Sequence, residues 1–387
     1  MADHAAHNLP ATFKALQVTS ADAPLAVTDL PTPIPSAGTV LLRPLFSNVV
    51  AYANEVFANG NPRMYPYPSP MVPGTNAICR VAATGPDTPR LKPGTLVYTS
   101  GVLRGRDDTG ANSTAVLHGL FMGFTPESQA LMQGEWRNGT WAELVKVPAE
   151  NVHILDEDVL VGNLGYRIED LGYLSTLAVP HGGLSDAGLK TGETVLVAPA
   201  TGTFGSAAVQ VALAMGAGKV IVAGRSQDKI NKVLEVAGER AVGVVITGDV
   251  DADAAALGAQ GPIDVYFDIS PQVASAGPST FTHIKSGIAA LRPGGRMSMM
   301  GGVIGDVQMP YQFIMGKGLS IRGTFMYTRE QMDSLIRLIE TGMLTLGKKA
   351  GVETTGKFAL GEWETAFEAA ARDAGPGKAT YFVPNAE

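Results

Sequence analysis

The chain has 387 residues, 45% of them hydrophobic, with 46 glycines, 25 prolines and a net charge of -7. This length exceeds that of one ordinary hydrophobic core, so two domains are expected, and the composition excludes a disordered chain. The acidic balance and the lack of a dense lysine or arginine run argue against nucleic acid as a partner.

Targeting and cysteine content point to a cytoplasmic protein. The first ten residues, MADHAAHNLP, lack a basic segment followed by an apolar one, so we interpret them as a frayed lead-in and not as a secretory signal. No stretch offers the roughly 18 uninterrupted apolar residues of a membrane span, so a soluble protein without a membrane partner is expected. Cys79 is the single cysteine, which excludes an internal disulfide and a zinc cluster built of thiolates.

The first part of the chain, residues 12–160, contains short β-rich runs broken by glycine and proline. They include TVLLRPLFSNVV, AICRVAATG, GTLVYTSGVL and TWAELVKVP. Dense turn signals at short intervals predict an antiparallel, barrel-like domain. Residues 104–137 show neither helical nor strand periodicity, and we interpret them as a long surface excursion or lobe.

After residue 166, apolar runs alternate with helical stretches. Six such runs are TVLVAPA, KVIVAG, AVGVVITG, IDVYFDIS, GRMSMMGG and LSIRGTF. Uninterrupted apolar runs suit strands buried on both faces of a parallel sheet, so this half is predicted to be a doubly wound α/β domain. Beyond Phe325, the spacing of Met332, Leu335, Ile336 and Ile339 predicts a helix that stops near Gly342. The tail then returns to a strand-like piece, ATYFVP.

The segment VLVAPATGTFGSAAVQ, residues 195–210, resembles a nucleotide-binding turn between a strand and a helix. In a Gly-x-Gly-x-x-Gly turn the glycines allow a tight corner, close approach of a pyrophosphate, and packing of the helix on the strand. Alanine replaces the first glycine here. The predicted pyrophosphate-binding residues are Ala200, Thr201, Gly202, Thr203, Phe204 and Gly205. The alternative is a glycine corner that serves packing alone.

The end of the following run predicts which dinucleotide binds. The residues there are Gly224, Arg225 and Ser226, with Lys229 one turn later, and no carboxylate is present to accept hydrogen bonds from the adenosine ribose. Arginine, serine and lysine suit a 2′-phosphate, so NADPH is the predicted cofactor. The alternative is that the two cations form an ordinary solvated face, partly neutralised by Asp228.

Several segments together resemble the medium-chain dehydrogenase/reductase superfamily over nearly the whole chain. They are LKPGTLVY, GTWAELVKVPAENVHIL, GLKTGETVLVAPATGTFGSAAVQ, LRPGGRMSMMGG and the helix before ETGML. The resemblance implies a GroES-like β-rich substrate domain over residues 1–165, a Rossmann cofactor domain over 166–322, and a return to the substrate domain over 323–387. It further implies an active site in the cleft between the domains and a homodimer joined through the cofactor domains.

The chain departs from the zinc-dependent members of that superfamily. Thr75 and Asn76 stand where those enzymes have His and Glu of a Gly-His-Glu motif, and no cysteine lies near Val49 or Val50. The four-cysteine structural zinc lobe is missing too. Because a catalytic zinc needs about three protein ligands, the enzyme is predicted to be zinc-independent.

Among members of the superfamily, the lack of zinc ligands makes the chain more similar to quinone oxidoreductases and enoyl reductases. Asn48 matches the first residue of their Asn-Pro-x-Asp segment, but Ala51 replaces its Asp, and Ala53 replaces a lysine found in some enoyl reductases. The predicted catalytic residues therefore come from nearby donors able to stabilise a developing oxyanion. Tyr52 is the first choice, because it directly follows Ala51.

Other donors are weaker candidates. Tyr65 and the neutral donor Asn48 are included among the catalytic candidates. Tyr67 and Asn76 are further donors near the proline-rich loop. The alternative for Tyr52, Tyr65 and Tyr67 is that each ring is half-buried and only packs against that loop.

Two more candidates come from the second half. His181, in LAVPHGGLSDAG, precedes the cofactor strand and is predicted to gate the site or donate a proton, with a purely structural role as the alternative. Gly301 and Gly302 follow GRMSMM and are predicted to let backbone approach the nicotinamide, or else to form a simple turn. Tyr166 and Tyr173 are predicted to border the cleft. His118 and His153 lack a metal-type partner at useful spacing.

The resulting prediction is a zinc-independent, NADPH-dependent reductase of an activated C=C bond in an enone, quinone or enoyl thioester. One alternative is reduction of a ketone or aldehyde with the same cofactor. Another is a non-redox role, either as a cofactor-binding regulator or as a scaffold for a biosynthetic cyclisation.

Overall fold

The computed structural model describes residues 9–20, 23–108, 115–275 and 281–385. Most of the predicted frayed lead-in, residues 1–8, lies outside these ranges. The chain forms two compact units: the first comprises residues 1–175, 353–374 and 378–387, and the second comprises 176–352 and 375–377. The domain boundaries placed at 165/166 and 322/323 from the sequence stay predictions.

The strands, in chain order, are β1 (Thr12–Gln17), β2 (Ala26–Pro31), β3 (Thr39–Asn48), β4 (Ala77–Thr84), β5 (Leu96–Thr99), β6 (Val102–Leu103), β7 (Val116–Leu117), β8 (Val145–Pro148), β9 (Val152–Ile154), β10 (Thr194–Ala198), β11 (Lys219–Gly224), β12 (Ala241–Val245), β13 (Ile263–Asp268), β14 (Leu291–Met299), β15 (Ser320–Gly323), β16 (Glu353–Phe358) and β17 (Lys378–Phe382). The helices are α1 (Ala53–Phe57), α2 (Pro126–Gln133), α3 (Ile168–Leu171), α4 (Leu174–Asp186), α5 (Thr203–Ala214), α6 (Gln227–Ala237), α7 (Val250–Gly258), α8 (Thr282–Ala290), α9 (Tyr311–Gly316), α10 (Arg329–Glu340) and α11 (Trp363–Arg372).

The first unit is built on a seven-stranded sheet in the order β16-β17-β3-β4-β5-β9, with β8 paired to β3. Every pairing in this sheet is antiparallel except that of β16 with β17. Buried side chains from β3, β4, β5, β8 and β9, most of them valines, form a core cluster that includes Cys79. The predicted β-rich, GroES-like architecture is confirmed, and the tail piece ATYFVP contributes β17.

The second unit contains a six-stranded, wholly parallel sheet in the order β12-β11-β10-β13-β14-β15. Each of the six apolar runs read from the sequence holds one of these strands. Strands β10, β11 and β13 are almost completely buried, as expected where helices cover both faces of a parallel sheet. The predicted doubly wound Rossmann architecture is therefore confirmed.

Helix α10 shows how local sequence determines an element of this unit. Its N-cap Thr328 accepts a hydrogen bond from the Gln331 backbone, and its buried face is Met332, Leu335, Ile336 and Ile339. Gly342 has a φ of 72°, a conformation that favours glycine just past a helix end. The helix and its stop agree with the spacing in the sequence.

The excursion expected on the surface at residues 104–137 is partly interior. Residues 115–123 are almost entirely buried, and the segment then continues through an exposed Phe124 into α2. The expectation of a surface excursion or lobe is wrong for residues 115–123, because the run AVLHGLFMG supplies β7 and apolar side chains to the core of the first unit. Residues 109–114 of the same prediction lie outside the described ranges. Within the described ranges, no helix is both long and apolar enough to cross a bilayer.

Candidate cofactor and substrate sites

The predicted pyrophosphate turn connects β10 to α5. Its corner is tied to the neighbouring strand, because the Ala200 backbone N–H donates to the Ala223 carbonyl at 2.8 Å. Gly202 is the exposed N-cap of α5, and a Cβ atom added there would meet nothing within 4 Å. A Cβ at Gly205 would lie 2.2 Å from the Pro199 carbonyl oxygen. Gly205 therefore lets the helix pack on the strand, and Gly202 leaves the helix N-terminus open.

An open helix N-terminus suits a pyrophosphate, because its first backbone N–H groups have no partner within the helix and its dipole attracts negative charge. The side chains around it are partly engaged already. The Thr203 hydroxyl donates to the Gly375 carbonyl at 3.2 Å, and Phe204 is half-buried. A Cβ at Gly224 would lie 2.7 Å from the Thr201 methyl group, so packing alone explains that glycine.

Cationic side chains follow the end of β11, where the sequence placed the 2′-phosphate. Arg225 and Lys229 are exposed, and neither makes an ion pair within the described part of the chain. Ser226 is the N-cap of α6, and its hydroxyl accepts a hydrogen bond from the Lys229 backbone at 3.4 Å. The two cations are thus available to a ligand, while the serine also has a structural role.

The glycine pair after β14 lies against the loop that follows β13. A Cβ at Gly301 would be 2.8 Å from the Ser270 carbonyl oxygen and 3.0 Å from Asp268 Oδ2. Gly302 donates its backbone N–H to Ser270 at 2.8 Å, and both glycines are exposed. Close packing of two loops therefore accounts for Gly301, and contact with the nicotinamide stays a prediction for both residues.

His181 is buried inside α4, and burial lowers its pKa to about 4. The next two residues place the helix against the sheet: a Cβ at Gly182 would be 2.3 Å from the Met326 carbonyl oxygen, and one at Gly183 would be 2.2 Å from Met300 Sδ. The imidazole is neutral at pH 7, so it can form hydrogen bonds there without acting as a charged acid.

A small pocket in the first unit contains Thr75, one of the two residues that the family resemblance aligned with zinc ligands. Its lining is mostly apolar: Asn48, Val50, Phe57, Gly74, Thr75, Gly119, Leu120 and Trp141. None of these side chains is charged. The Trp141 indole N–H donates to the Asn48 carbonyl at 3.2 Å, and the indole packs edge-on against Phe57 with ring centroids 5.5 Å apart. The pocket therefore has a rigid aromatic wall and two neutral polar groups.

The neutral donor Asn76 is engaged in the fold. Its amide donates to Thr75 Oγ1 at 3.0 Å, and its carbonyl oxygen accepts from the Tyr98 hydroxyl at 3.0 Å and from the Gly101 backbone at 2.7 Å. The proposal of Asn76 as a substrate donor is therefore weakened, because its buried amide ties Thr75 to the segment that contains Tyr98 and Gly101. Asn48 is half-buried and lines the pocket.

Tyr52 is half-buried at the N-cap of α1, the helix that supplies Phe57 to the pocket. Within the described residues its hydroxyl has no hydrogen-bond partner. Burial raises the pKa of Tyr52, Tyr65 and Glu55 add to the rise, and Arg63 opposes it. The phenol is therefore protonated at neutral pH and able to donate a hydrogen bond.

The remaining tyrosine candidates have structural neighbours. Tyr65 packs edge-on to Tyr52 with centroids 6.1 Å apart and against Phe121 at 5.4 Å. The Tyr67 hydroxyl donates to the Val56 carbonyl at 3.3 Å. Tyr166 and Tyr173 are both buried in the first unit, so the expectation that they border an open cleft is weakened.

The two histidines that the structure describes in the first unit, His118 and His153, do not form a metal site. His118 is fully buried, and burial lowers its pKa to about 4. His153 is buried beside the Tyr98 ring. Within the ranges the structure describes, no group of three or more His, Cys, Asp or Glu side chains is placed to hold a metal ion. The hydroxyl and amide groups of Thr75 and Asn76 are poor zinc ligands, so this donor set does not fit a catalytic zinc.

Some residues of the pocket have no signal in the sequence. Gly119, Leu120 and Trp141 come from distant segments, and only the antiparallel sheet and the buried excursion bring them beside Asn48. Arg63, which stacks on Tyr52, belongs to no recognisable motif either. Its placement next to two tyrosines and two asparagines in ANGNPRMYPYP is the nearest available signal.

Comparisons with known proteins agree with this architecture. The model "Alcohol dehydrogenase GroES-like domain" matches residues 37–157, and the model "Zinc-binding dehydrogenase" matches residues 204–341. An L-threonine 3-dehydrogenase of Anaeromyxobacter dehalogenans (strain 2CP-C) is 23% identical over 346 residues, which is 88% of this chain and 90% of that protein.

Solved structures share the fold at low identity. A short chain alcohol dehydrogenase from Escherichia coli CFT073, complexed with NADH, has a TM-score of 0.75 at 18% identity and covers 97% of this chain and 100% of its own. A cobalt- and zinc-bound thermostable alcohol dehydrogenase from Pyrobaculum aerophilum has a TM-score of 0.71 at 20% identity, with coverage of 96% and 100%.

The two domain matches, their order along the chain and the two folds define a medium-chain dehydrogenase/reductase. The chain belongs to this superfamily and is an oxidoreductase of a nicotinamide-dependent dehydrogenase family.

Proposed function

We propose that the protein is a zinc-independent, NADPH-dependent reductase of an activated C=C bond in a neutral acceptor: an enone, a quinone or an enoyl thioester. The observation that carries this proposal is the pocket around Asn48, whose lining offers amide, hydroxyl and aromatic groups in place of metal ligands. The amide and hydroxyl groups can donate hydrogen bonds to a developing enolate oxygen, and they do not act as a Lewis acid.

The cofactor part of the proposal rests on the second unit. Gly202 leaves the N-terminus of α5 open to a pyrophosphate, and Arg225 and Lys229 offer positive charge at the end of β11. When bound, the nicotinamide supplies the hydride. Cationic side chains without a strand-end carboxylate favour the phosphorylated cofactor over NADH.

The protein's own residues are proposed to orient and polarise the acceptor. Asn48 and Thr75 line the pocket and supply neutral hydrogen bonds to the acceptor oxygen, while the hydride is added at the β-carbon of the double bond. Tyr52 carries a proton at neutral pH and has a free hydroxyl within the described residues, so it is the proposed donor to the oxyanion. Trp141 and Phe57 form the apolar wall and limit access of water.

Reduction of a ketone or aldehyde is the second candidate, and the named activity of the threonine dehydrogenase relative favours it. An amino acid is a less suitable substrate, because the pocket lining contains no charged side chain to pair with its carboxylate or its ammonium group. A carbonyl substrate of this protein is therefore proposed to be neutral as well.

The test is an acceptor panel with NADPH and with NADH, followed by product analysis. Cyclohexenone, benzoquinone and an enoyl thioester probe C=C reduction, and cyclohexanone probes carbonyl reduction. L-threonine, which gives up a hydride, is tested separately with NADP+ and NAD+. A saturated ketone from the enone supports the first proposal, and an allylic alcohol supports the second. Binding of NADPH without its consumption by any acceptor would overturn both and leave the non-redox role.

Catalysis is tested by Tyr52→Phe, with Tyr67→Phe as the matched control because the Tyr67 hydroxyl already has a backbone partner. Loss of a general acid typically slows turnover by a factor of about 100 or more. We expect that loss in Y52F and near-normal turnover in Y67F. Equal activity of Y52F and the unaltered protein would remove Tyr52 from the mechanism.

A further inference from the structure

A short closed turn, Asn61–Tyr65, lies beside Tyr52. Asn61 binds both backbone groups of Tyr65: its Oδ1 accepts from the N–H at 3.1 Å, and its Nδ2 donates to the carbonyl at 2.8 Å. Asn61 and Met64 have φ values of 55° and 53°, in the left-handed region. For methionine this conformation costs free energy, and such strain is concentrated at functional positions.

The turn places two groups on Tyr52. The guanidinium carbon of Arg63 lies 4.1 Å from the centroid of the Tyr52 ring, and Tyr65 packs edge-on to the same ring. Arg63 Nε is held in turn by Glu55 at 2.6 Å, and the Arg63 side chain is only 16% exposed. A cation over the face of a phenol is attracted by the ring and stabilises negative charge that develops on its oxygen.

Packing alone would account for an arginine that covers an aromatic ring. Two observations go further. The Tyr52 hydroxyl has no hydrogen-bond partner among the described residues, so the ring is clamped while its polar end stays available. The backbone also adopts a strained conformation at Met64, immediately after the arginine.

We propose that Arg63 is a positioning residue for Tyr52: the Asn61–Tyr65 turn and Glu55 hold its guanidinium over the ring, which fixes the phenol and favours its proton donation. This inference rests on the proposed role of Tyr52 in the reductase. The charged and titratable groups that face Tyr52 are Arg63, Glu55 and Tyr65. Arg63 favours loss of the Tyr52 proton, and the other two oppose it.

A double-mutant cycle tests the coupling, with the enone or quinone that the acceptor panel identifies. Arg63→Met is expected to lower kcat about tenfold with little change in KM, since Arg63 does not line the pocket proposed to bind the acceptor. Arg63→Lys, which keeps the charge, should recover part of this loss. In the Y52F background, R63M should have no further effect, because the group on which Arg63 acts is gone.

The solvent deuterium isotope effect separates positioning from general damage. If Arg63 assists proton donation, the isotope effect on kcat should be larger in R63M than in the unaltered protein. Arg90→Met, which removes an exposed charge from the same unit, is the control and should change neither quantity. If R63M lowers kcat by the same factor in the unaltered protein and in Y52F, the two residues act independently. That result would overturn the inference while leaving Tyr52 as the donor.

A second arm needs no turnover. In protein labelled with 13C-tyrosine, the Tyr52 resonance is assigned by its disappearance in Y52F. R63M should shift this resonance in the free protein, and R90M should not. An unchanged resonance in R63M would overturn the inference whatever the acceptor panel shows, whereas a failed panel with a shifted resonance would count against the proposed function alone.

Discussion

Arg225 is the single side chain on which the proposed preference for NADPH depends most. It is exposed just after β11 and makes no ion pair within the described ranges, so its charge is available to a 2′-phosphate. Arg225→Met should weaken NADPH binding by a factor of about 10 to 100, the loss expected for one charge-assisted contact, and leave NADH binding unchanged. Fluorescence titration with both cofactors measures this.

Lys232→Met is the matched control, because Lys232 is an exposed cation on the same helix, α6, further from the strand end. If R225M and K232M weaken NADPH binding equally, the general positive charge of this surface explains a preference for NADPH over NADH. A specific contact between Arg225 and the 2′-phosphate would then be wrong.

His118 links stability to pH. Its pKa is about 4 in the folded protein, because burial disfavours the charged ring, against an ordinary value of 6.5. Above pH 6.5 both folded and unfolded chains carry the neutral ring, so the contribution to stability is complete. As the pH falls from 6.5 to 4 the unfolded chain takes up the proton first, and stability is lost.

We therefore compare urea unfolding of the unaltered protein and His118→Gln at pH 7 and pH 5. The advantage of the unaltered protein over H118Q should shrink by about 2 kcal/mol between these two pH values. His181 and the carboxylates contribute to the pH dependence of both proteins, so only the difference is diagnostic. A pH-independent difference would contradict the assignment.

For some single residues, the role could not be predicted from the sequence. Ser226 and Gly301 match a cofactor pattern, yet one caps α6 and the other packs against the Ser270 backbone. Asn76 has the chemistry of a substrate donor, but its amide is committed to Thr75. A residue type shows what a side chain can do. Its hydrogen-bond partners depend on which distant segments the fold places beside it.

At the scale of an element, the junction of β10 and α5 contains two glycines with different roles. Gly205 is needed for packing, and Gly202 is proposed to contact the cofactor. Gly205→Ala would put a Cβ 2.2 Å from the Pro199 carbonyl oxygen, whereas Gly202→Ala meets nothing within 4 Å. G205A should lower the free energy of unfolding by about 1 to 3 kcal/mol, the usual effect of overpacking. G202A should leave stability within about 0.5 kcal/mol.

Cofactor affinity should fall in both variants, for different reasons. The added methyl group at Gly202 would stand between the helix N-terminus and the pyrophosphate, while G205A displaces the helix itself. Thermal unfolding and NADPH titration on the two proteins distinguish these effects. Unchanged NADPH affinity in G202A would remove the turn from the cofactor site.

The elements themselves were largely predictable because their periodicity is strong. Six apolar runs became the six strands of the parallel sheet, and the face of α10 follows directly from Met332, Leu335 and Ile336. The order β12-β11-β10-β13-β14-β15 is not written in any one run, since it depends on crossovers between strands. Residues 115–123 resisted prediction because a buried irregular segment has no period to detect.

At the scale of the whole molecule, the two units are proposed to bind different reactants: the second binds the cofactor and the first binds the acceptor. The second unit offers an open helix N-terminus and cationic side chains, features that recognise an anionic cofactor. The first unit offers a small neutral pocket with an aromatic wall, where we propose that an apolar acceptor binds. This division explains why the cofactor class follows from local motifs, while the acceptor depends on residues far apart in the sequence.

Self-association is a further proposal at this scale. Strand β15 is an edge of the parallel sheet, and α9, just before it, exposes Tyr311, Phe313 and Met315 at 77%, 48% and 63%. An unpaired edge beside exposed apolar side chains is a surface that proteins normally cover, and pairing with a second copy about a two-fold axis would do so. We therefore propose a homodimer through this edge.

Light scattering during gel filtration measures the outcome. The unaltered protein should have about twice the 40.3 kDa mass of one chain. The double variant Phe313→Glu, Met315→Glu should elute as the monomer with little loss of thermal stability, because both side chains are exposed within one chain and their replacement leaves no cavity. Ile34→Glu, at an 83% exposed position of the first unit, is the control and should stay dimeric. A monomeric unaltered protein at micromolar concentration, or a double variant that remains dimeric, would show that the exposed edge of β15 is not the interface.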